Sequence, residues 1–251
     1  QGYSLKRGSA FHLGLLTGSK VRQCLHVVHT YLPRIHEQHQ RGVLTASGLP
    51  SPQTAIVAGV ARYFGLQCAV AVPQYDNAKI DVNRLNVSLA QQYGATVYGA
   101  RNPRPSGVEL LAKVLDARLG YFRIKFGMMA DVAMEPVIRQ VENVPDYVRE
   151  IVVISGSGLS ALSILKGLAR YGKTHVERVT VVALSHFFED HKAHWYDGLP
   201  ESDRFHGDVN IVPAPMDYGK LCDTTDFDWT YESKAFLWMQ ANRPPSRDVL
   251  F

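Results

Sequence analysis

The fold is decided by the stretch Ile151-Val152-Val153-Ile154-Ser155-Gly156-Ser157-Gly158-Leu159-Ser160. Its four consecutive β-branched residues predict a strand that is buried on both faces, as the strands of parallel sheets are. A helix is predicted after it, from Leu159 to Tyr171, and Gly172 then terminates that helix. Ligands of parallel α/β sheets bind where a strand ends and a helix begins, so this loop is a candidate binding site.

The loop from Ser155 to Ser160 has the composition of an anion-binding turn. The first backbone N–H groups of a helix have no partner within the helix, and they can bind a phosphate. The loop has neither the lysine of a Walker loop nor the glycine spacing of a dinucleotide fingerprint. Two interpretations remain open, namely a site for a small phosphate ester and a tight turn without a ligand.

Strands and helices alternate through most of the chain. Strands are predicted at 42–46, 67–72, 96–98, 121–125 and 179–184, and helices at 53–64, 81–93, 108–119, 134–143 and 232–240. This alternation predicts an α/β protein with parallel sheets. We predict two lobes, a smaller one of residues 45–125 inserted into a larger one formed by 1–44 and 126–251. The polar, histidine-rich segment 186–200 is predicted to be irregular.

Lys20 is a candidate nucleophile. It follows the small residues Gly18 and Ser19, and apolar residues follow it. Most lysines are solvated, but partial burial would lower the pKa of this one and favour the neutral amine, which attacks an aldehyde. A lysine that can form a Schiff base, together with a loop that can bind a phosphate, predicts pyridoxal 5'-phosphate as the cofactor.

The segment Ser51-Pro52-Gln53-Thr54 lies at a second predicted junction between a strand and a helix. In one interpretation Ser51 simply caps the helix. In the other, Ser51, Gln53 and Thr54 lie near a substrate carboxylate, which the N–H groups of the helix bind. The residues themselves leave both interpretations open.

Composition narrows the class of protein. Of the 251 residues, 46% are hydrophobic and 20% are charged, as in ordinary globular proteins. No apolar run reaches the roughly 18 residues that span a bilayer, so no membrane association is expected. The formal net charge of +4 is a mild excess without a run of basic residues, and it does not by itself indicate nucleic-acid binding. Three widely spaced cysteines, Cys24, Cys68 and Cys222, favour a reducing, cytoplasmic location.

The histidines raise the question of a metal site. They fall in two groups, one at His26, His29, His36 and His39 and the other at His186, His191 and His194. Neither group has cysteine or carboxylate partners at a zinc-binding spacing. A solvated or partner-facing histidine surface is therefore favoured, and we predict no metal.

Together these motifs resemble the fold-type II pyridoxal phosphate enzymes, the group that is similar to the tryptophan synthase β subunit. Within it, the chain looks closest to 1-aminocyclopropane-1-carboxylate deaminase and D-cysteine desulfhydrase. The segment around Lys20, Gly18-Ser19-Lys20-Val21-Arg22, is similar to the Gly-Asn-Lys-x-Arg of the family, which makes Lys20 the Schiff-base residue. Ser51-Pro52-Gln53-Thr54 is similar to its Ser-Asn-x-Thr, whose serine contacts the substrate or acts as nucleophile. Residues 155–160 are similar to its phosphate-binding loop.

Two late segments extend the resemblance. Asp217-Tyr218-Gly219 is similar to the family's Gly-Tyr-Gly, and Asp228-Trp229-Thr230-Tyr231-Glu232-Ser233-Lys234 to its Asp-Pro-Val-Tyr-Glu-Gly-Lys. The resemblance implies that Tyr218 and Tyr231 are active-site tyrosines and that Glu232 faces the pyridine nitrogen of the cofactor. A carboxylate there favours the protonated ring, which is the better electron sink for a carbanion at the substrate Cα.

The chain also departs from the family pattern. Ser19 and Pro52 stand where the family has asparagine, and the second of those asparagines bonds the phenolic oxygen of the cofactor. The chain is also shorter than typical relatives by tens of residues. A more open entrance to the active site could admit a bulky substrate.

The resemblance implies a lyase that acts on an amino-acid-like substrate through an external aldimine and a Cα carbanion, as a deaminase, a decarboxylase or a β-eliminating enzyme. One alternative is modification of an aminoacyl group tethered to a nucleotide, to a carrier or to nucleic acid, as in phage DNA hypermodification. Another is a non-catalytic module that binds a phosphate ligand. Relatives further imply a homodimer.

Overall fold

The computed structural model describes residues 11–75, 84–185, 187–216, 220, 231–244 and 246–250. They divide into two compact units, one up to residue 133 and the other from residue 134 onward. The first unit is therefore larger than the lobe predicted at 45–125. It starts earlier because the helix Ser19–Gln38 packs against the strand and helix that follow it, Gly42–Ala46 and Gln53–Tyr63.

The first unit is built on a parallel sheet of four strands in the order β5-β4-β3-β6. A short antiparallel pair precedes it, formed by β1 (His12–Leu13) and β2 (Leu16–Thr17). The sheet strands are β3 (Gly42–Ala46), β4 (Gln67–Pro73), β5 (Thr96–Ala100) and β6 (Phe122–Ile124). The helices are α1 (Ser19–Gln38), α2 (Gln53–Tyr63), α3 (Leu85–Gln92), α4 (Pro105–Leu119) and α5 (Asp131–Val141), the last of which continues into the second unit.

The central strands of this sheet are apolar because both of their faces are covered. Every residue of β3 is buried, and so is every residue of β4 after Gln67. Leu44, Ala46, Ala69 and Ala71 form a core cluster with residues of α4. Continuous burial of this kind explains why these strands were recognisable as uninterrupted hydrophobic runs.

The second unit contains another parallel sheet of four strands, in the order β10-β7-β8-β9. Its strands are β7 (Glu150–Ser155), β8 (Arg178–Ala183), β9 (Asp208–Pro213) and β10 (Val249–Leu250), and its helices are α6 (Leu159–Arg170), α7 (Phe187–Trp195) and α8 (Glu232–Asn242). Helix α8 packs on the sheet through Ala235 and Met239, which meet Val152 and Val182. These two parallel sheets with flanking helices confirm the predicted α/β class.

One prediction about local structure is wrong. The segment 186–200 was expected to be irregular, but residues 187–195 form the helix α7. Its first turn carries Glu189 and Asp190 and its last turn carries Lys192 and His194, so these charges complement the helix dipole. Aromatic residues and histidines are weak helix formers, and they hid this pattern in the sequence.

The described α-helices range in length from the 8 residues of α3 to the 20 residues of α1. None of them combines the length and the apolar character that crossing the hydrocarbon core requires.

Candidate functional site

Lys20 is the second residue of α1, and the glycine before that helix sets where it begins. Gly18 is the N-cap residue and has φ 100° and ψ 175°, a backbone conformation that is essentially restricted to glycine. Its N–H donates to the carbonyl of Phe11 at 3.1 Å, which fixes the turn that leads into the helix. The small residues before Lys20 therefore have a backbone role.

The topology of the first unit places Lys20 toward the edge at which its strands end, called here the carboxyl edge. Helix α1 packs on β3, and the N–H of Gly42, the first residue of β3, donates to the carbonyl of His39 at 2.8 Å. The end of α1 therefore lies where β3 begins. Since the helix runs back along the strand, its first turn lies toward the carboxyl edge, where ligands of parallel sheets bind.

The amine of Lys20 is chemically unusual. The side chain is half-buried, and desolvation lowers its pKa from 10.5 to about 8, while a weaker electrostatic interaction with Cys24 acts in the opposite direction. Among the described residues, its ammonium group makes no hydrogen bond and no ion pair. Lys20 is therefore a neutral nucleophile over a pH range in which an ordinary lysine is protonated.

The lowered pKa leads to a testable prediction about the reactivity of Lys20. Reductive methylation of its amine should rise with pH and reach half of its maximum near pH 8, since only the neutral amine reacts. Mass spectrometry of the peptide that contains Lys20, in the protein without cofactor, measures this. The exposed Lys113 serves as the internal reference, and equal pH profiles for the two lysines would contradict the desolvation of Lys20.

Ser51 lies in the loop that follows β3, at the same carboxyl edge. The N-cap position of α2 falls on Pro52, and the Ser51 hydroxyl oxygen accepts the N–H of Gln53 at 3.3 Å. Ser51 is buried, and within the described part of the chain its own hydroxyl proton has no acceptor. The structure thus leaves Ser51 with one hydrogen bond to donate.

The other two predicted substrate contacts, Gln53 and Thr54, are bonded within the protein. Gln53 Nε2 donates to Thr45 Oγ1 at 2.8 Å and to the carbonyl of Lys125 at 2.9 Å. The Thr54 hydroxyl donates to the carbonyl of Ser51 at 3.3 Å. Asn86, which sequence reasoning missed, donates to the carbonyl of Pro50 at 3.0 Å and holds the same loop.

The glycine-rich loop of the second unit has the geometry of an anion site. Ser155 is 2% exposed, and its hydroxyl oxygen has no hydrogen-bond partner among the described residues. Gly158, the N-cap residue of α6, has φ 92°, a left-handed conformation that favours glycine. The first N–H groups of α6, on Leu159, Ser160 and Ala161, make no bond to any described residue. An unpaired buried hydroxyl beside free N–H groups is a ready site for an anion.

Tyr231, the N-cap residue of α8, lies against this loop. A Cβ atom placed on Gly156 would lie 3.0 Å from Cε1 of Tyr231, so the tyrosine ring lies against the glycine. Glu232, half-buried, is the first residue of α8. Ser185, which sequence reasoning missed, donates to the carbonyl of Gly156 at 3.1 Å and fixes the other side of the loop. Tyr218 lies outside the described residues.

The described residues offer neither a cluster of metal ligands nor a reactive thiol. They contain no cluster of three or more histidine, cysteine or acidic side chains that could hold a metal ion. Cys24 and Cys68 are buried and unpaired, and burial raises the pKa of both thiols, that of Cys68 to about 12. Neither thiol is therefore an activated nucleophile.

Comparisons with known proteins rest on structure alone. Neither a protein-family model nor a curated protein matches the sequence significantly. A solved homologue of 1-aminocyclopropane-1-carboxylate (ACC) deaminase matches with a TM-score of 0.74 at 16% identity, covering 99% of this chain and 82% of that chain. The hydrogen sulfide-producing enzyme of Fusobacterium nucleatum matches with a TM-score of 0.62 at 12% identity, covering 94% of this chain and 76% of its own.

A third match is a pyridoxal 5'-phosphate-dependent aspartate racemase, with a TM-score of 0.54 at 17% identity over 78% of this chain and 64% of that chain. Identities this low establish a shared fold and no more. The chain has the fold of the fold-type II pyridoxal phosphate enzymes.

Proposed function

We propose that this protein is a pyridoxal phosphate-dependent enzyme that acts on an amino-acid-like substrate, most specifically as a lyase. The observation that carries the proposal is the amine of Lys20, whose pKa is lowered to about 8 and which has no partner among the described residues. An amine of this kind is what covalent attachment of an aldehyde cofactor requires. The fold, which the chain shares with a pyridoxal 5'-phosphate-dependent aspartate racemase, supports the same cofactor.

The loop of the second unit fits the phosphate of this cofactor. The Ser155 hydroxyl is buried without a partner among the described residues, and an unpaired buried hydroxyl is unfavourable by roughly 1–3 kcal/mol unless a ligand bonds to it. The free N–H groups at the start of α6 supply further donors, and Gly156 and Gly158 let the backbone approach closely. Ser155 to Ser160 would therefore hold the phosphate, as the resemblance implies.

When bound, the cofactor supplies an electron sink for charge that develops at the substrate Cα. Lys20 would hold it covalently, and the Lys20 amine would accept or donate a proton at the substrate Cα. Ser51 donates its free hydroxyl proton to the substrate or acts as nucleophile. Glu232 keeps the pyridine nitrogen protonated, and Tyr231, with Tyr218, orients the substrate or relays protons.

The substrate carboxylate would bind at the start of α2. Within the described chain, the N–H groups of Thr54 and Ala55 make no bond, because the first intrahelical bond runs from Ile56 to the carbonyl of Pro52 at 3.0 Å. Free N–H groups at a helix N-terminus bind carboxylates. In this proposal Thr54 contributes its backbone N–H to the carboxylate site, Ser51 contributes its hydroxyl, and Gln53 holds the loop in shape.

The direct test is covalent trapping. We expect the wild-type protein, mixed with pyridoxal phosphate and reduced with borohydride, to gain one cofactor on the peptide that contains Lys20. Lys20→Arg should lose this adduct completely, because a guanidinium does not condense with an aldehyde, while Lys113→Arg should keep it. A wild-type protein that is labelled only at exposed lysines would overturn the proposal.

The reaction class is tested separately, since structural neighbours include a racemase as well as a deaminase homologue. The protein, with cofactor, is incubated in D₂O with single amino acids of either hand. Deuterium at Cα reports proton transfer, and release of ammonia with an oxo acid reports the proposed lyase. Inversion without release of ammonia would replace the lyase with a racemase.

The other expectations from the sequence stay predictions. They are a substrate tethered to a nucleotide, nucleic acid or carrier, a non-catalytic phosphate-binding role, a homodimer and a cytoplasmic location. Trapping at Lys20 with turnover of a free amino acid would favour a free substrate over the tethered substrate and over the non-catalytic role.

A further inference from the structure

Gln53 links three elements at the carboxyl edge of the first unit. Its backbone N–H donates to the Ser51 hydroxyl, and its side chain donates to Thr45 on β3 and to the carbonyl of Lys125 just after β6. Thr45 extends the chain of bonds, because its hydroxyl donates to the carbonyl of Ile124 at 3.0 Å. Thr45 and Gln53 are 0% and 1% exposed, so these bonds are shielded from water.

The side chain of Gln53 has no proton left for a ligand. A carboxamide carries two N–H protons, and Thr45 and Lys125 accept both of them. Only its oxygen remains, and an oxygen acceptor repels a carboxylate. The geometry therefore contradicts direct contact between this side chain and a substrate carboxylate.

Ser51, in contrast, keeps a hydroxyl proton that no described residue accepts, while hydrogen bonds hold the loop around it. Its N–H donates to the carbonyl of Gly48 at 3.0 Å, and the carbonyls of Pro50 and Ser51 accept bonds from Asn86 and Thr54. The accepted N–H of Gln53 sets the direction in which the Ser51 proton can point. A reactive group held by its neighbours in this way is preorganised.

We propose that Gln53 is a positioning residue that acts on the substrate through Ser51. Its backbone N–H orients the Ser51 hydroxyl, and its side chain ties the loop after β3 to the backbone after β6. This inference rests on the proposed function for the identity of the substrate. The bonding pattern itself needs no cofactor.

The test is a double-mutant cycle on the trapped adduct. When D-serine or L-serine displaces Lys20 from the cofactor, Lys20 is protected from labelling by borohydride. The measured quantity is the serine concentration that gives half of the full protection. Ser51→Ala and Gln53→Met should each raise that concentration about tenfold, and the double variant also about tenfold, because one residue acts through the other. If the double variant instead raises the half-protecting concentration about a hundredfold, the product of the two single effects, then Gln53 contacts the substrate itself and the proposal is overturned.

A second measurement needs no ligand. Hydrogen–deuterium exchange of the protein without cofactor should be at least about tenfold faster at the amides of Ser51 and Met128 in Gln53→Met. These amides bond to the carbonyls of Gly48 and Lys125. Gln92→Met, on the exposed face of α3, is the matched control and should leave both amides unchanged.

The two arms separate the two proposals. If the wild-type protein gains no label at Lys20, the proposed cofactor is refuted. If hydrogen–deuterium exchange is unchanged in Gln53→Met, the positioning role is refuted, whatever the labelling shows. If Gln53→Met does not fold, Thr45→Val removes the same acceptor with little change of volume. It should show the same accelerated exchange and the same shift in half-protection.

Discussion

Replacing Ser155 with alanine is expected to weaken binding of pyridoxal phosphate about 10- to 100-fold while leaving the protein without cofactor as stable as the wild type or slightly more stable. The hydroxyl is buried at the end of β7, and its removal breaks no bond to any described residue. With the phosphate present, it would donate to a charged oxygen, and bonds to charged groups contribute roughly 1.5–3 kcal/mol. Cofactor titration and urea denaturation measure the two effects.

Two controls make this prediction specific. Pyridoxal, which has no phosphate, should bind wild type and Ser155→Ala equally. Ser163→Ala removes a buried hydroxyl that does have a partner, since it donates to the carbonyl of Leu159 at 2.6 Å. That variant should lose about 1 kcal/mol of stability and keep its preference for the phosphate ester. Equal loss of affinity for both cofactor forms in Ser155→Ala would place the phosphate elsewhere.

Replacing Arg243 with alanine is expected to lower the free energy of unfolding by roughly 3 kcal/mol. Arg243 follows α8, and its guanidinium binds Glu150 at the start of β7, with Nε 2.9 Å from one carboxylate oxygen and 3.2 Å from the other. Thr180 also donates to this carboxylate, at 2.6 Å. Side-chain exposures of 24% and 11% leave little water to replace the lost partner.

The origin of this effect can be separated from general disruption. Arg243→Met combined with Glu150→Gln removes both charges and should recover much of the lost stability, because no uncompensated carboxylate remains. Arg139→Ala is the surface comparison, since Arg139 is 68% exposed and its partner Glu135 also binds Arg170. It should change stability by less than about 1 kcal/mol. Equal losses for Arg243→Ala and the double variant would contradict the explanation.

Most strands and helices were predictable because their signals are local. The strands β3 and β7 are mostly apolar and buried, and the helix after Gly158 begins at a glycine whose φ is positive. Helix α7 was missed because its histidines and aromatic residues have low helix propensity. The first unit also begins before the predicted lobe, because α1 packs on α2.

The candidate site divides in the same way. Lys20, Ser51 and the loop at Gly156 were found from residue type and spacing. The chemical state of these residues in the folded protein could not be predicted in this way. The lowered pKa of Lys20 arises from desolvation, and desolvation depends on everything packed around the amine.

The sequence by itself determined the class of fold, the positions of the strand–loop–helix junctions and the residue types that stand there. Backbone propensity and hydrophobic burial act over a few neighbouring residues, so short stretches of sequence are enough to predict those features. Only the tertiary structure decided which polar groups remain available for chemistry. Gln53 donates its side-chain protons to Thr45 and to Lys125, which is 72 residues away, whereas the hydroxyl of Ser155 meets no partner in the part of the chain that the structure describes. A hydrogen bond depends on distances of a fraction of an ångström, and those distances exist only after the chain has folded.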